Sequence, residues 1–425
     1  MPESPLSFSA DPVANTLRLQ SAIDATSSGG GGIILLPTGA HPLGSVELRS
    51  GITLVVPGGC VLQASRDHIT PDARITEGAN VWPEAPRAWV KAFGAKDVTI
   101  CGGGRWHGPA SGPPSYLTFL RDCQDVAISH TTWIDSTFWT LCFFQCRDLH
   151  VHDLFIDAHC APHNDGIDLV SCRSAVLERL DIDADDDAIC LKTTGGHSLE
   201  SILIQDCTVR THCNGIKVGT QTTGDVRNVT VRRCRVLPSR IAESCFFGYP
   251  NAVSGLSLQM NEGHTLENIL CEDIAITGTQ VPLFLLHWNR EFPGHRPNGS
   301  FHDVTLRRIS IESDGSLGSA LVGHPESPLE KITLDGISIR LLPVNAKAAA
   351  FQPHGSASLE APLPYPDGKM FGPLPAAGLF AYAAMFDPRD LKVDSCRADS
   401  RCLVSPQTLQ EKPALAGDSI TVSAP

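Results

Sequence analysis

The chain has 425 residues, 42% of them hydrophobic and 19% charged, with a formal net charge of −13. This acidic balance argues against nucleic acid or an anionic membrane as partner, and no run of about 18 apolar residues is present to span a bilayer. The length exceeds one ordinary core, so it implies either several domains or a repeat fold in which each unit buries its apolar face on the next.

Residues 1–16 lack a basic stretch followed by an apolar core, so no signal peptide is expected. The protein is expected either in the cytoplasm or outside the cell with a leader removed. Leu19, Ala22 and Ile23 then have helical spacing ahead of the glycine run at 29–32. A short helix that caps the open end of a coil stack is predicted there, because terminal repeats need a cover. From residue 30 to 345 helical periodicity is nearly absent. Short strand-like runs replace it: Val98-Thr99-Ile100, Val126-Ala127-Ile128, Ala175-Val176-Leu177, Ile202-Leu203-Ile204, Val229-Thr230-Val231, Ile269-Leu270, Val304-Thr305-Leu306 and Ile332-Thr333-Leu334. Residues 346–380 are rich in Ala, Pro and Gly and read as a long loop; 381–425 read as a last strand or two and a tail.

Four segments repeat one pattern: Asp165-Gly166-Ile167-Asp168-Leu169-Val170, Asp187-Ala188-Ile189-Cys190-Leu191-Lys192, Asn214-Gly215-Ile216-Lys217-Val218-Gly219 and Ser254-Gly255-Leu256-Ser257-Leu258-Gln259. The longer step before the fourth can hold one long loop or another turn. One coil per roughly 20–30 residues matches a parallel β-helix among repeat folds. The expected fold is therefore all-β: a right-handed parallel β-helix with a short N-terminal capping helix. It would form one domain over 1–425, with a cap at 1–32, coils at 33–345, and a C-terminal loop, strands and tail at 346–425.

Successive side chains in a strand point to opposite faces. Ile167, Ile189, Ile216 and Leu256 should form one inward column, and Leu169, Leu191, Val218 and Leu258 another. Asp168, Cys190, Lys217 and Ser257 then face out, as do Val170, Lys192, Gly219 and Gln259. Asp165, Asp187 and Asn214 stand at the strand entries, with Asp186 beside Asp187. Clustered carboxylates cannot all ionise easily, so at least one pKa should rise. Such a pair, one acid and one carboxylate, is what glycosidic hydrolysis requires. Alone, Asp185-Asp186-Asp187 is as readily a solvated acidic turn or a calcium site; the register with Asp165 one coil away favours a catalytic cluster.

Among other candidates, His159, His163, His197 and His212 lie near this face, and His163 or His212 could act in acid–base chemistry. Trp133, Phe138, Trp139, Phe246, Phe247, Tyr249 and Trp288 are the aromatic pool for stacking on a sugar. The run His287-Trp288-Asn289-Arg290-Glu291 looks like cleft wall. The 15 cysteines form no Cys-x-x-Cys pair, so zinc and thioredoxin-like readings are poor and buried thiols are expected. Cys396 and Cys402 are close enough for a disulfide in an oxidising compartment. No phosphate-cradling loop, metal-ligand spacing or nucleophile elbow stands out, so neither cofactor nor metal is expected.

Pro162-His163-Asn164-Asp165-Gly166-Ile167-Asp168 followed by Asp186-Asp187-Ala188-Ile189-Cys190-Leu191-Lys192 resembles glycoside hydrolase family 28, the polygalacturonase family with its bacterial and rhamnogalacturonan-cleaving relatives. The early Ala22-Ile23-Asp24 and Leu36-Pro37-Thr38-Gly39 segments and the late Tyr365-Pro366 and Met370-Phe371-Gly372-Pro373-Leu374-Pro375-Ala376 segments extend the resemblance over most of the chain. It implies an inverting hydrolase on pectin-type carbohydrate, with Asp186 as general acid and Asp165 and Asp187 positioning and deprotonating water. An inverting pair stands roughly 6.5–9.5 Å apart. Three departures matter. The family's Gly-His-Gly falls on Cys213-Asn214-Gly215, its Arg-Ile-Lys on Ser257-Leu258-Gln259, and its Asn-Thr-Asp on His163-Asn164-Asp165. The cationic clamp for a sugar carboxylate is thus missing; Ser257 and Gln259 suit hydroxyls, while Lys217 or Arg290 could compensate. The resemblance implies a neutral or deoxy sugar, or an acidic one bound from another direction. The substrate-binding set is then His163, Asn164, Asp168, Lys192, His212, Asn214, Lys217, Ser257, Gln259, Trp288 and Arg290. The alternatives are a β-helix lyase, epimerase or transglycosidase, or a non-catalytic carbohydrate-binding β-helix.

Overall fold

The computed structural model describes residues 6–77, 82–244, 252–291, 295–345, 366–397, 399–407 and 420–423. The chain divides into two compact units, Met1–Asp186 and Asp187–Pro425. Both have right-handed parallel β-helix architecture, and every run singled out from the sequence falls in a strand.

In the first unit the helix Pro12–Ser28 is N-capped by Asp11, whose carboxylate accepts from Val13 N–H, and it buries Asn15, Leu19 and Ile23. Its cover over the strands is partly polar. The Gln20 amide donates to the Glu47 carbonyl at 2.9 Å and accepts from the Glu47 N–H at 2.8 Å. The Asn15 amide donates to the Pro42 carbonyl at 3.0 Å. Side-chain amides thus stand in for the strand neighbour that the first coil lacks. Two short helical turns, Arg66–His68 and Ala73–Thr76, interrupt the otherwise strand-only stretch.

The predicted columns appear as strand registers. In the first unit Leu141 pairs with Ile167 and Phe143 with Leu169, placing these apolar groups inside, while Cys142 pairs with Asp168 and Phe144 with Val170 on the outer side. In the second, Ile189, Ile216 and Leu256 align, as do Leu191, Val218 and Leu258. Asn214 faces Ser254 directly, so the longer step before the fourth segment contains no extra coil. The Lys192–Gly219 pairing does not occur: the register shifts between Leu191 and Thr193, and Thr193 meets Thr222.

"Outward" turns out not to mean exposed. The strands Ile167–Val170, Ile189–Thr193, Asn214–Thr222 and Ala252–Met260 are buried almost throughout. By contrast, the strands Val226–Pro238, Leu266–Thr277 and Phe301–Ser313 alternate buried and accessible positions, as one solvated face requires. In the first unit an apolar cluster of Ile75, Tyr116, Phe119, Phe138, Trp139 and Phe144 covers the outer face. In the second, Met370, Phe371 and Leu374 pack on Phe284, Leu286, Ala320 and Phe380.

The 346–380 loop is corrected in part. Residues 346–365 lie outside the described residues, but Ala376–Tyr382 is a strand, with Leu379 and Ala381 in register with Ser319 and Leu321. Cys396 and Cys402 are free thiols, and Cys402 donates to the Pro375 carbonyl. The corner thiols Cys123, Cys146 and Cys172 are buried, Cys146 donating to Leu120 O and Cys172 to Phe143 O.

Candidate active site

In the first unit the loop from strand Phe155–Ala158 to strand Ile167–Val170 carries His163, Asn164 and Asp165. Asn164 is fully buried. Its carbonyl oxygen accepts from Cys160 N–H and Ala161 N–H, both at 2.8 Å, and its amide donates to the carbonyls of Ser136 and Phe138. This corrects the substrate role expected for it: all its polar capacity shapes the loop. The loop holds His163 in the left-handed region at φ 58°, with its ring half exposed and Nδ1 3.7 Å from Asp186 Oδ2. Asp165 and Asp168 are both buried.

Strand Asp181–Ala184 leads into Asp185 and Asp186. Asp186 is 9% exposed, against 1% for Asp183 and Asp185. His159 explains how two buried carboxylates are tolerated there. Its Nε2 lies 3.2 Å from Asp183 Oδ1 and 3.6 Å from Asp157 Oδ1, and its Nδ1 lies 3.6 Å from Asp185 Oδ1. Burial alone would push the imidazole pKa down; hydrogen bonds to Asp183 and Asp185 and the charges of Asp183 and Asp157 outweigh it and raise the pKa to about 9. His159 is therefore an imidazolium holding the strand end that presents Asp186. Its sequence neighbourhood shows only Asp157, because the other two partners, Asp183 and Asp185, lie one coil away.

The sign of the pH effect follows. The folded pKa is raised, so this stabilisation is complete below the ordinary imidazole pKa of about 6.5 and disappears as pH rises through about 9. His159→Gln should cost on the order of 2–3 kcal/mol at pH 6 and little at pH 10. Melting curves of both proteins from pH 6 to 10 check this: the gap between them should close with rising pH.

In the second unit Asp187 is buried and ion-paired with Lys217 at 2.9 Å. It also accepts from the Asn214 amide, whose carbonyl oxygen accepts in turn from the Ser254 hydroxyl. Burial alone would raise the Asp187 pKa, but Lys217, Lys192 and the Asn214 hydrogen bond together hold it below the usual carboxylate range. Asp187 is thus an ionised acceptor, and Asn214, where the sequence pattern led to expect histidine, serves its orientation.

Along strand Ala252–Met260 and just beyond it, Ser257, Gln259 and Asn261 alternate with apolar residues and form a buried polar chain. The Gln259 amide donates to the Ser257 hydroxyl at 2.7 Å, and the Asn261 amide to the Gln259 carbonyl at 3.1 Å. The chain continues to Thr222, whose hydroxyl accepts from Asn261 N–H and donates to Glu262. Glu262 also binds Arg290 through Nε and Nη2. Asn261 and Glu262 were missed from the sequence, although the period-two polar alternation from Ser257 onward could have flagged Asn261.

Several expected contacts are corrected. Trp288 is buried in the apolar cluster of the second unit, 4.9 Å from the His324 ring, so it is core and not cleft wall. Trp133 stacks on Trp106 at 4.7 Å inside the coils, and Phe138 and Trp139 belong to the covering cluster of the first unit. Each fills apolar volume, where the large area of an aromatic ring stabilises most. Phe246, Phe247 and Tyr249 lie outside the described residues. His212 is buried, with Nε2 donating to the Ile241 carbonyl at 3.0 Å; an imidazole sequestered in this way is not offered to a sugar. His197 is exposed in the turn after strand Ile189–Thr193.

The outer face of these parallel coils thus carries buried carboxylates and amides. A family-level profile for glycosyl hydrolases family 28 matches residues 90–351. The chain belongs to that family. A probable polygalacturonase of Vitis vinifera is 25% identical over 365 residues, spanning 77% of this chain and 71% of the relative. The exopolygalacturonase of Thermotoga maritima superposes with a TM-score of 0.62 at 19% identity, covering 78% of this chain and 84% of that one. The family 28 exopolygalacturonase of Yersinia enterocolitica gives a TM-score of 0.63 at 15% identity, covering 96% and 75%. As a family 28 member the protein is a glycoside hydrolase and acts on carbohydrate.

Proposed function

We propose that this family 28 hydrolase cleaves a pectin-type or related poly- or oligosaccharide with inversion of configuration. Asp186 protonates the leaving oxygen, and Asp165 and Asp187 hold and deprotonate the attacking water. The Asp187 carboxylate, ionised and fixed by Lys217 and Asn214, suits the role of water acceptor. Asp186, the most exposed of the aspartates at 183–187, suits that of proton donor.

The substrate is not that of a standard polygalacturonase. One observation carries this reading: the cations expected to compensate for the missing clamp are committed to the protein's own carboxylates. Lys217 pairs with Asp187, Lys192 faces the same group, and Arg290 pairs with Glu262. Ser257 and Gln259, at the expected clamp positions, are uncharged, buried and hydrogen-bonded to each other, so neither supplies the cation that a uronate carboxylate requires. The bound unit is therefore neutral or deoxygenated.

Reducing-end release should be measured on galacturonan oligomers and on neutral or rhamnose-containing pectic oligosaccharides. The neutral or deoxy series is expected to show at least a 10-fold higher kcat/KM. Preference for galacturonan overturns the specificity, and unsaturated products absorbing in the ultraviolet overturn the hydrolytic chemistry.

A further inference from the structure

A second cluster of metal-ligating side chains lies in the first unit, away from Asp165 and Asp186 in sequence and built on different strands. The coils turn a corner after each of the strands Gln124–Ser129, Arg147–His152 and Arg173–Glu178. Ser129, His152 and Glu178 are in register. The residues that follow them, His130, Asp153 and Arg179, all adopt left-handed backbone at φ 52°, 55° and 51°. Three coils therefore present an imidazole, a carboxylate and a guanidinium from one repeated corner position, with a second imidazole from His152 beside them.

The distances are those of a near-formed ligand set. His152 Nδ1 lies 2.6 Å from Asp153 Oδ2, and His130 Nε2 lies 3.9 Å from the same oxygen. One ligand atom from each of the three residues falls within 4.8 Å of the others. Donors around a tetrahedral ion at about 2.0–2.1 Å stand roughly 3.3 Å apart, a spacing that the two observed separations bracket. His130 is 62% exposed, so rotation of its ring can close the set. Arg179 Nε holds Asp153 Oδ1 at 2.9 Å, the outer hydrogen bond that orients a ligating carboxylate. Its Nη2, at 3.0 Å from Oδ2, is the contact an ion would displace. Glu178, 2.8 Å from Arg179 Nη1, offsets the guanidinium charge.

We propose that His130, His152 and Asp153 bind a borderline divalent transition-metal ion of the Zn²⁺ type, leaving further positions to water, and so clip two successive coils together. Two imidazoles and one carboxylate select such an ion over Mg²⁺ or Ca²⁺, which prefer all-oxygen shells. His150 is not part of the set: its Nε2 faces Glu178 Oε1 at 3.0 Å.

The test is calorimetric titration of the full chain, freed of metal by chelation, with ZnCl₂ and separately with MgCl₂. Wild type should bind Zn²⁺ and gain melting temperature, while MgCl₂ has no effect. His130→Ala should weaken this binding at least 10-fold, the His130→Ala/His152→Ala variant should lose one equivalent, and His150→Ala should keep it. Hydrolytic activity without metal, unchanged in all three variants, shows that they fold. The proposal is overturned if wild type takes up no Zn²⁺ at millimolar concentration, if the double variant binds as many equivalents as wild type, or if His150→Ala removes the site as fully as His130→Ala.

Discussion

Asp186→Asn is expected to lower kcat by about 10²–10⁴-fold, the usual contribution of a general acid, with melting temperature nearly unchanged. Two features separate the two effects. Two of the neighbouring carboxylates, Asp183 and Asp185, are held by His159, while Asp186 is the more exposed group and stands 3.7 Å from the half-exposed His163 ring. An amide of the same shape can keep the backbone contact from Asp186 N–H to the Asn164 carbonyl, but it has no proton to give to a leaving oxygen. Reducing-end release at saturating substrate, with a thermal melt of the same preparation, is the measurement. Activity within a few-fold of wild type would remove Asp186 from the mechanism; a large fall in melting temperature would make it a structural residue.

Lys217→Met should have the largest effect on stability, about 3–5 kcal/mol, the cost of leaving one partner of a buried ion pair uncompensated. Both side chains are almost fully buried, at 2% and 3% exposure, so solvent does little to screen the loss. The pH dependence has a definite sign. The Asp187 pKa is lowered in the folded protein, so its stabilisation is present above the ordinary carboxylate pKa and lost only as pH falls through the lowered value. Without Lys217 that value rises, and acid unfolding should begin at higher pH. Adding Asp187→Asn should recover part of the stability, because the uncompensated charge is gone, but not the activity. Urea unfolding of the two single variants and the double variant measures the coupling; additive losses would mean that the pair does not act as a unit.

Much of the architecture was legible because a parallel coil writes the same constraint again and again. The inward columns of Ile, Leu and Val came directly from period-two alternation, and the register matched along Ile189, Ile216 and Leu256. A further repeat was there to be read. Asp97, Asp125, Asp148, Asn228, Asn268 and Asp303 each precede an apolar strand residue and adopt φ between 54° and 57°. Asp and Asn tolerate the left-handed region better than other residues with a β-carbon, so these residues mark backbone bends rather than chemistry.

What remained hidden depends on segments distant in sequence. Nothing in Phe284 or Leu286 says that Met370 and Leu374 will cover them. Lys217 and Arg290 looked like available cations because their partners, Asp187 and Glu262, lie 30 and 28 residues away along the chain. Trp133 and Trp288 looked like sugar platforms for the same reason: a single aromatic residue does not show which side of a strand has room for it. The Lys192–Gly219 mismatch arose at an irregularity between Leu191 and Thr193 that no hydrophobic pattern encodes.

The N-terminal helix has a consequence beyond local packing. A parallel coil without a cover offers its unsatisfied backbone groups to any second chain, and identical coils are well matched to add end to end. Gln20 answers one such site with an amide that reproduces both the donor and the acceptor of a missing strand. Together with the Asn15 bond to Pro42, it occupies backbone groups that an added coil would otherwise pair with.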